Sequence, residues 1–244
     1  MRIGYKTHIG MVREHNEDSL LVFNKYYPRF SLFAVADGMG GHNAGEVASA
    51  MAIEGIRNFF VNNYMMDKFH FSDKEMNTLI RKINGDILEK SQIDASLNGM
   101  GTTLTLVVNI NQEIHISHIG DSRAYKVNDK GMEQLTEDHS LVAGLVKKGE
   151  ITKEEAKTHP QKNIITRALG TGEAIYADMY HFKLCPEDII LLCTDGLTNS
   201  ISENEIYRII RENKDSDFQQ IAEMLVQVAN DNGGNDNISI IIFQ

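Results

Sequence analysis

The chain has 244 residues, 42% of them hydrophobic, and 24 Lys+Arg against 34 Asp+Glu give a formal net charge of −10. That balance argues against a nucleic-acid or anionic-membrane surface, and the apolar share suffices for a buried core and argues against disorder. No stretch approaches the ~20 apolar residues of a membrane span, and two cysteines, Cys185 and Cys193, are too few for a disulfide framework or a cysteine-rich zinc site. The charged opening residues lack the apolar core of a leader peptide. The expectation is a cytoplasmic protein without membrane insertion. With 3 prolines and no low-complexity linker it reads as one domain over residues 1–244.

Three β-rich stretches come first: Arg2 to His8, Ser19 to Asn24, and Ser31 to Ala36, the apolar run SLFAVA. A helix from about Ala44 to Asn62 follows, with Ala48, Ala52, Ile56 and Phe60 recurring every fourth residue. Ser72 and Glu75 form the capping-box pattern that starts a second helix, carrying Met76, Leu79, Ile80, Ile83 and Ile87 at helical spacing. Strand signals return at Thr102 to Ile110, Glu113 to Ile119 and Arg123 to Val127. From Ser140 to Gly170 short helical pieces are broken at Gly149 and Pro160, with a second capping box at Thr152 and Glu155. Strands resume at Tyr176 to Leu184 and Asp188 to Thr194. Helices at Glu203 to Glu212 and Phe218 to Asn230 precede a last strand, Ile238 to Phe243. Helix pairs between groups of antiparallel strands predict an α+β fold of four layers, αββα, two antiparallel sheets flanked by helices, with an inserted flap.

The chemistry-bearing residues are acids where apolar strands stop. Asp37-Gly38 follows SLFAVA, Asp121 follows HISHIG, Asp195-Gly196 follows IILLCT, and Asp236 stands before NISIIIF. Any one Asp-Gly is more often a turn than a site; the argument rests on the set. Several carboxylates in one small volume repel unless cations compensate them, and oxygen ligands without a His or Cys cluster select Mg²⁺ or Mn²⁺ over zinc. Two such ions about 4 Å apart lower a water's pKa and generate a hydroxide nucleophile. Neither cysteine has an arginine six residues on, where Leu191 and Asn199 stand, so a cysteine-loop phosphatase mechanism has no support.

The motifs GMVREHNEDS (Gly10 to Ser19), VADGMGGHNAGEVAS (Val35 to Ser49), GTTL (Gly101 to Leu104), HIGDSRAY (His118 to Tyr125), LTEDHS (Leu135 to Ser140), ITRALG (Ile165 to Gly170), CTDGL (Cys193 to Leu197) and GGNDNIS (Gly233 to Ser239) occur in one order. In them the chain resembles the bacterial branch of the metal-dependent protein phosphatases, type 2C or PPM, from Gly10 to Phe243. The resemblance implies a binuclear Mn²⁺/Mg²⁺ centre that hydrolyses phosphoserine and phosphothreonine in proteins. It implies Asp37 as the bridging ligand, the Gly38 carbonyl on one ion, and Asp195 and Asp236 on the other. A third ion, frequent in bacterial members, would fall to Asp121 with Asp195, and Glu17 and Asp18 match outer or water-mediated positions. Arg13 matches the phosphate-binding arginine, whose planar fork takes two oxygens at once. Asn237 is a candidate for orienting Asp236 or a water. Eukaryotic members carry a histidine where this chain has Met39, so the proton donor is open; His42 and water are the candidates. Residues 141–167 correspond to the flap beside the active site, with a substrate-selecting or gating role. The implied partners are phosphorylated proteins, a cognate Ser/Thr kinase among them, and a monomer is expected.

Two rival readings are weaker. A dinucleotide-binding loop from Gly38 needs glycine where Asn43 stands and sets Asp37 against a pyrophosphate. A non-catalytic phosphoprotein-binding module of the same fold would normally lack ligands, and every aspartate of the pattern is present.

Overall fold

The computed structural model describes residues 1–26, 30–41, 44–64 and 71–244. Eleven strands and seven α-helices are found among them: β1 Ile3–His8, β2 Asp18–Tyr26, β3 Phe30–Met39, α1 Ala44–Tyr64, α2 Asp73–Ile93, β4 Gly101–Thr102, β5 Leu104–Ile110, β6 Glu113–Ile119, β7 Arg123–Asn128, β8 Gly131–Gln134, α3 Leu141–Lys147, α4 Lys153–Thr158, β9 Asp178–Lys183, β10 Ile189–Cys193, α5 Asp195–Thr198, α6 Glu203–Glu212, α7 Phe218–Asp231 and β11 Ile238–Phe243. One antiparallel sheet has the order β1-β11-β10-β7-β8 and the other β2-β3-β5-β6-β9, with β4 added to the end of β3.

Strands buried on both faces explain the unbroken apolar runs. In β3, Phe33 and Val35 point between the sheets, where they meet Val107, Ile116, Ile190, Leu192, Ile241 and Phe243. Their neighbours Leu32 and Ala34 face α1 and α2, against Ala48, Ala52, Ile56, Phe60, Met76 and Ile80. In β11, Ile238, Ile240 and Ile242 face α6 and α7, against Ile206, Ile210, Phe218, Ile221 and Leu225. The expected stripe Ala48, Ala52, Ile56 and Phe60 is completely buried. The layers are thus α1/α2, sheet, sheet, α6/α7, the αββα arrangement expected.

Local signals set the helix starts. The Thr152–Glu155 capping box is complete. At α2, Ser72 caps the Glu75 N–H, while the Glu75 carboxylate accepts from the Ser72 hydroxyl instead of the backbone. Three differences from the sequence expectation stand out. The strand expected from Thr102 to Ile110 breaks at Thr103, whose N–H donates to the Asp37 carbonyl at 2.9 Å. The edge strand β8 is short and polar, and α5 is a single turn opened by Asp195-Gly196.

Phe33 and Phe243 stack across the two sheets at 4.0 Å between ring centroids. Phe33→Ala is expected to lower the stability by about 3–5 kcal/mol, read as a fall in the urea midpoint with an unchanged slope.

Candidate metal centre

Both sheets deliver acids to the same end of the sandwich. Asp18 opens β2 and is the cross-strand partner of Asp37 near the end of β3. From the other sheet, Asp195 opens α5 directly after β10, and Asp236 stands two residues before β11. Asp121 follows β6. The Asp37 and Asp195 carboxyls interact directly, and Asp37 also feels the charges of Asp18, Asp121 and Asp236.

Burial, reinforced by these neighbouring charges, raises the carboxyl pKa values. Asp37 lies well above the ordinary carboxylate range. Asp18 and Asp121 are pushed up to about 7 and Asp195 to about 6. Glu17 is raised by burial, with Arg13 opposing. Such a set cannot ionise together without added positive charge.

The donor set fits hard divalent cations. Buried oxygens of Glu17 (Oε1), Asp18 (Oδ1) and Asp121 (Oδ1) have no hydrogen-bond partner, and unpaired buried carboxylate oxygens are costly unless something positive meets them. Among the described residues no three His, Cys, Asp or Glu side chains form a ready cage for one ion. Paired carboxylates with a backbone carbonyl suit ions that retain several waters, as Mg²⁺ does.

Close backbone approach brings the acids together. A Cβ on Gly38 would lie 2.1 Å from the Gly45 carbonyl oxygen, and one on Gly196 would lie 2.0 Å from that of Asn237. Both Asp-Gly glycines are therefore steric requirements of the centre. The Gly38 N–H donates to the Glu17 carbonyl at 3.1 Å. Thr194 fixes Asp18, donating to its Oδ2 at 2.9 Å while accepting from the Ser239 N–H at 3.0 Å. Asn199 donates to Asp195 Oδ2 at 2.9 Å.

Arg13 lies at the rim, its side chain 49% exposed, with Nη2 2.9 Å from Asp236 Oδ2. The Asn237 side chain takes a different place from the one expected. Its Oδ1 accepts from the Glu17 N–H, and its Nδ2 donates to the carbonyls of Ile9 and His15. It is the backbone N–H of Asn237 that meets Asp236 Oδ1, at 2.9 Å. Asn237 thus pins the loop that carries Arg13 and Glu17. His42 lies outside the described residues. Gly45 and Thr103 lie inside the Val35–Ser49 and Gly101–Leu104 motifs, but the sequence alone assigns neither a role.

Behind Asp37 runs a buried chain of hydroxyls. Thr103 Oγ1 accepts from the Asp37 N–H at 2.9 Å and pairs with Ser122 Oγ at 2.8 Å. Thr105 Oγ1 donates to the Ser122 carbonyl and meets His118 Nδ1, both at 3.0 Å. Burial and the neighbouring His139 lower the His118 pKa to about 4.

Comparison with known proteins agrees with this arrangement. A sequence profile of the protein phosphatase 2C family matches residues 8–240. The chain belongs to the protein phosphatase 2C family. It is 36% identical to the serine/threonine phosphatase Stp of Listeria monocytogenes over 244 residues, covering 100% of this chain and 96% of the relative. The crystal structure of serine/threonine phosphatase Stp1 from Staphylococcus aureus superposes with a TM-score of 0.89 at 35% identity, covering 99% of this chain and 94% of that one. The catalytic domain of the phosphatase PstP, solved in complex with two manganese ions, gives a TM-score of 0.83 at 32% identity, covering 99% and 96%. This 2C-family chain is accordingly a protein serine/threonine phosphatase of a metal-dependent family.

Removing the Asn237 amide frees the loop of residues 9–17. Asn237→Ala is expected to cost about 1–3 kcal/mol and to speed hydrogen exchange at the Glu17 amide, measured by mass spectrometry. The folded pKa of His118 lies below its unfolded value of about 6.5, so its stabilising contribution is complete above pH 6.5 and is lost as pH falls toward 4. Between those limits the stability of the wild type relative to His118→Gln should fall by up to about 1.4 kcal/mol per pH unit, read from denaturant melts at a series of pH values.

Proposed function

We propose that the chain hydrolyses phosphoserine and phosphothreonine in proteins in a single in-line step at the carboxylate centre, with two Mn²⁺ or Mg²⁺ ions. The observation that carries this reading is the set of buried, mutually repelling aspartates delivered to one place by both sheets. When bound, the ions supply Lewis acidity and a water activated near neutral pH. Asp37, the Gly38 carbonyl, Asp195 and Asp236 would hold the pair, Asp121 with Asp195 would hold a third, and Glu17 and Asp18 would stand in the outer or water-mediated shell. Arg13, paired with Asp236 in this structure, carries the planar fork that would grip two phosphate oxygens. The leaving alcohol takes its proton from His42 or from water.

Protein nucleophiles suit the site poorly. Cys193 is buried in the helix-side core, its thiol pushed up to about 12 by burial, and the Thr194 and Thr103 hydroxyls are held in hydrogen bonds. A covalent phosphoenzyme is therefore not expected. The substrates are phosphorylated proteins, with a cognate Ser/Thr kinase and its targets as the expected set, met in the cytoplasm by a monomeric enzyme. The flap, residues 141–167, has six Lys/Arg against three Asp/Glu, 6 − 3 = +3 in a chain of −10. Its helices α3 and α4 are closed at the base by bridge pairing between Ser140 and Ile165. A basic flap in an acidic molecule suits a role in receiving phosphorylated, anionic segments.

Purified protein should release phosphate from p-nitrophenyl phosphate and from a phosphothreonine peptide with Mn²⁺ or Mg²⁺, and not with a chelator. Asp37→Asn and Asp236→Asn should lower kcat/KM by at least about 100-fold while the fold is kept, and Arg13→Lys by about tenfold or more. Folded protein that is inactive with every metal would favour the non-catalytic phosphoprotein-binding module instead. A trapped phosphoenzyme would overturn the single-step scheme.

A further inference from the structure

Far from the acids, on the helix-facing side of the β2-β3-β5-β6-β9 sheet, two histidines form a cross-strand pair. His115 of β6 and His181 of the edge strand β9 are register partners, and their Nδ1 atoms are 2.7 Å apart. His181 Nε2 is 3.0 Å from Asp73 Oδ1 and 3.2 Å from Oδ2, at the start of α2. The Phe71 ring packs on His115 with centroids 4.2 Å apart.

For two neutral rings the contacts are met by one pair of tautomers. A carboxylate only accepts, so His181 carries its proton on Nε2 and turns the Nδ1 lone pair to His115. His115 then donates from Nδ1. When that proton moves to Nε2 of the half-buried His115, the two Nδ1 lone pairs face each other across 2.7 Å, and a small rotation of both rings turns them onto one ion. Burial and His181 both lower the His115 pKa, so the ring is neutral at pH 7 and available as a ligand.

We propose that His115 and His181 form a second metal site, for a square-planar divalent ion of the Cu²⁺ or Ni²⁺ type, with Asp73 as the positioning residue. At metal–nitrogen bonds of about 2.0–2.1 Å, cis ligands of a square-planar ion need nitrogens about 2.9 Å apart and a tetrahedral ion about 3.4 Å. The observed spacing is closer to the first. Imidazole nitrogens suit Zn²⁺, Fe²⁺, Ni²⁺ and, most tightly, Cu²⁺, whereas carboxylate sets suit Mg²⁺ and Mn²⁺, so the two sites sort ions by chemistry and the nitrogen spacing favours the square-planar ions. The carboxylate–histidine contact through Asp73 is the usual outer support of a metal-bound imidazole. A site with two protein ligands is also compatible with the lack of any three-residue cage among the described residues.

Cu²⁺ titrated into the full chain in saturating Mg²⁺ tests this. The expected wild-type electron paramagnetic resonance spectrum shows splitting from two imidazole nitrogens. His115→Ala and His181→Ala should each bind one Cu²⁺ fewer and lose that splitting, with Mg²⁺-dependent phosphatase activity unchanged. Asp73→Asn should keep the splitting but weaken binding about tenfold or more, a change that a purely structural role for Asp73 would not produce. Equal stoichiometry and identical spectra for the wild type and the His115→Ala/His181→Ala double variant would overturn the site.

Discussion

Repulsion among buried carboxylates is the constraint around which this molecule is organised. Left to themselves, Asp18, Asp37, Asp121 and Asp195 would separate or take up protons, as their raised pKa values record. Two features keep them in place. The sheets that carry them are locked by an apolar layer in which Phe33 stacks on Phe243, and at Gly38 and Gly196 the backbone packs against its neighbours more closely than any side chain would allow. The energy of forcing like charges together is thus drawn from packing elsewhere, and a cation turns the same repulsion into binding free energy.

Polar groups around the centre divide between holding and reacting. Thr194, Asn199, Thr103 and Asn237 fix an acid or a loop through hydrogen bonds. Arg13 stands at the rim with its side chain half exposed and paired with Asp236. A side chain that must exchange partners during turnover belongs at such a place, because exposed ion pairs are weak.

Much of this was legible in the sequence because burial writes itself as periodicity. SLFAVA and ISIIIF read as strands covered on both faces, and the Ala48–Phe60 stripe read as one helix face; all are buried as expected. The acids were legible from position, at the ends of those runs. What escaped was non-periodic. β8 is a short, polar edge strand paired with β7, and α5 is one turn that resembles a plain Asp-Gly turn. The hydroxyl of Thr194 meets Asp18 across 176 positions, and no local pattern announces such a bond. The Asn237 amide, a candidate from sequence for orienting Asp236 or a water, reaches residues 9, 15 and 17, because the loop passes over it.

The pairing of β1 with β11 sets an order of events during synthesis. His8 faces Ile238, 230 residues later, whereas β2 faces β3 almost at once. At about 5–20 residues per second the ribosome needs roughly 10–50 s to cover that interval. In the sheet that holds β2, the β2–β3 and β5–β6 pairs can form on the nascent chain, while β1 waits beside it without its partner. Asp236 and Asp195 reach Asp37 only when the second sheet closes, so the repelling charges meet after the first half of the scaffold is in place to hold them.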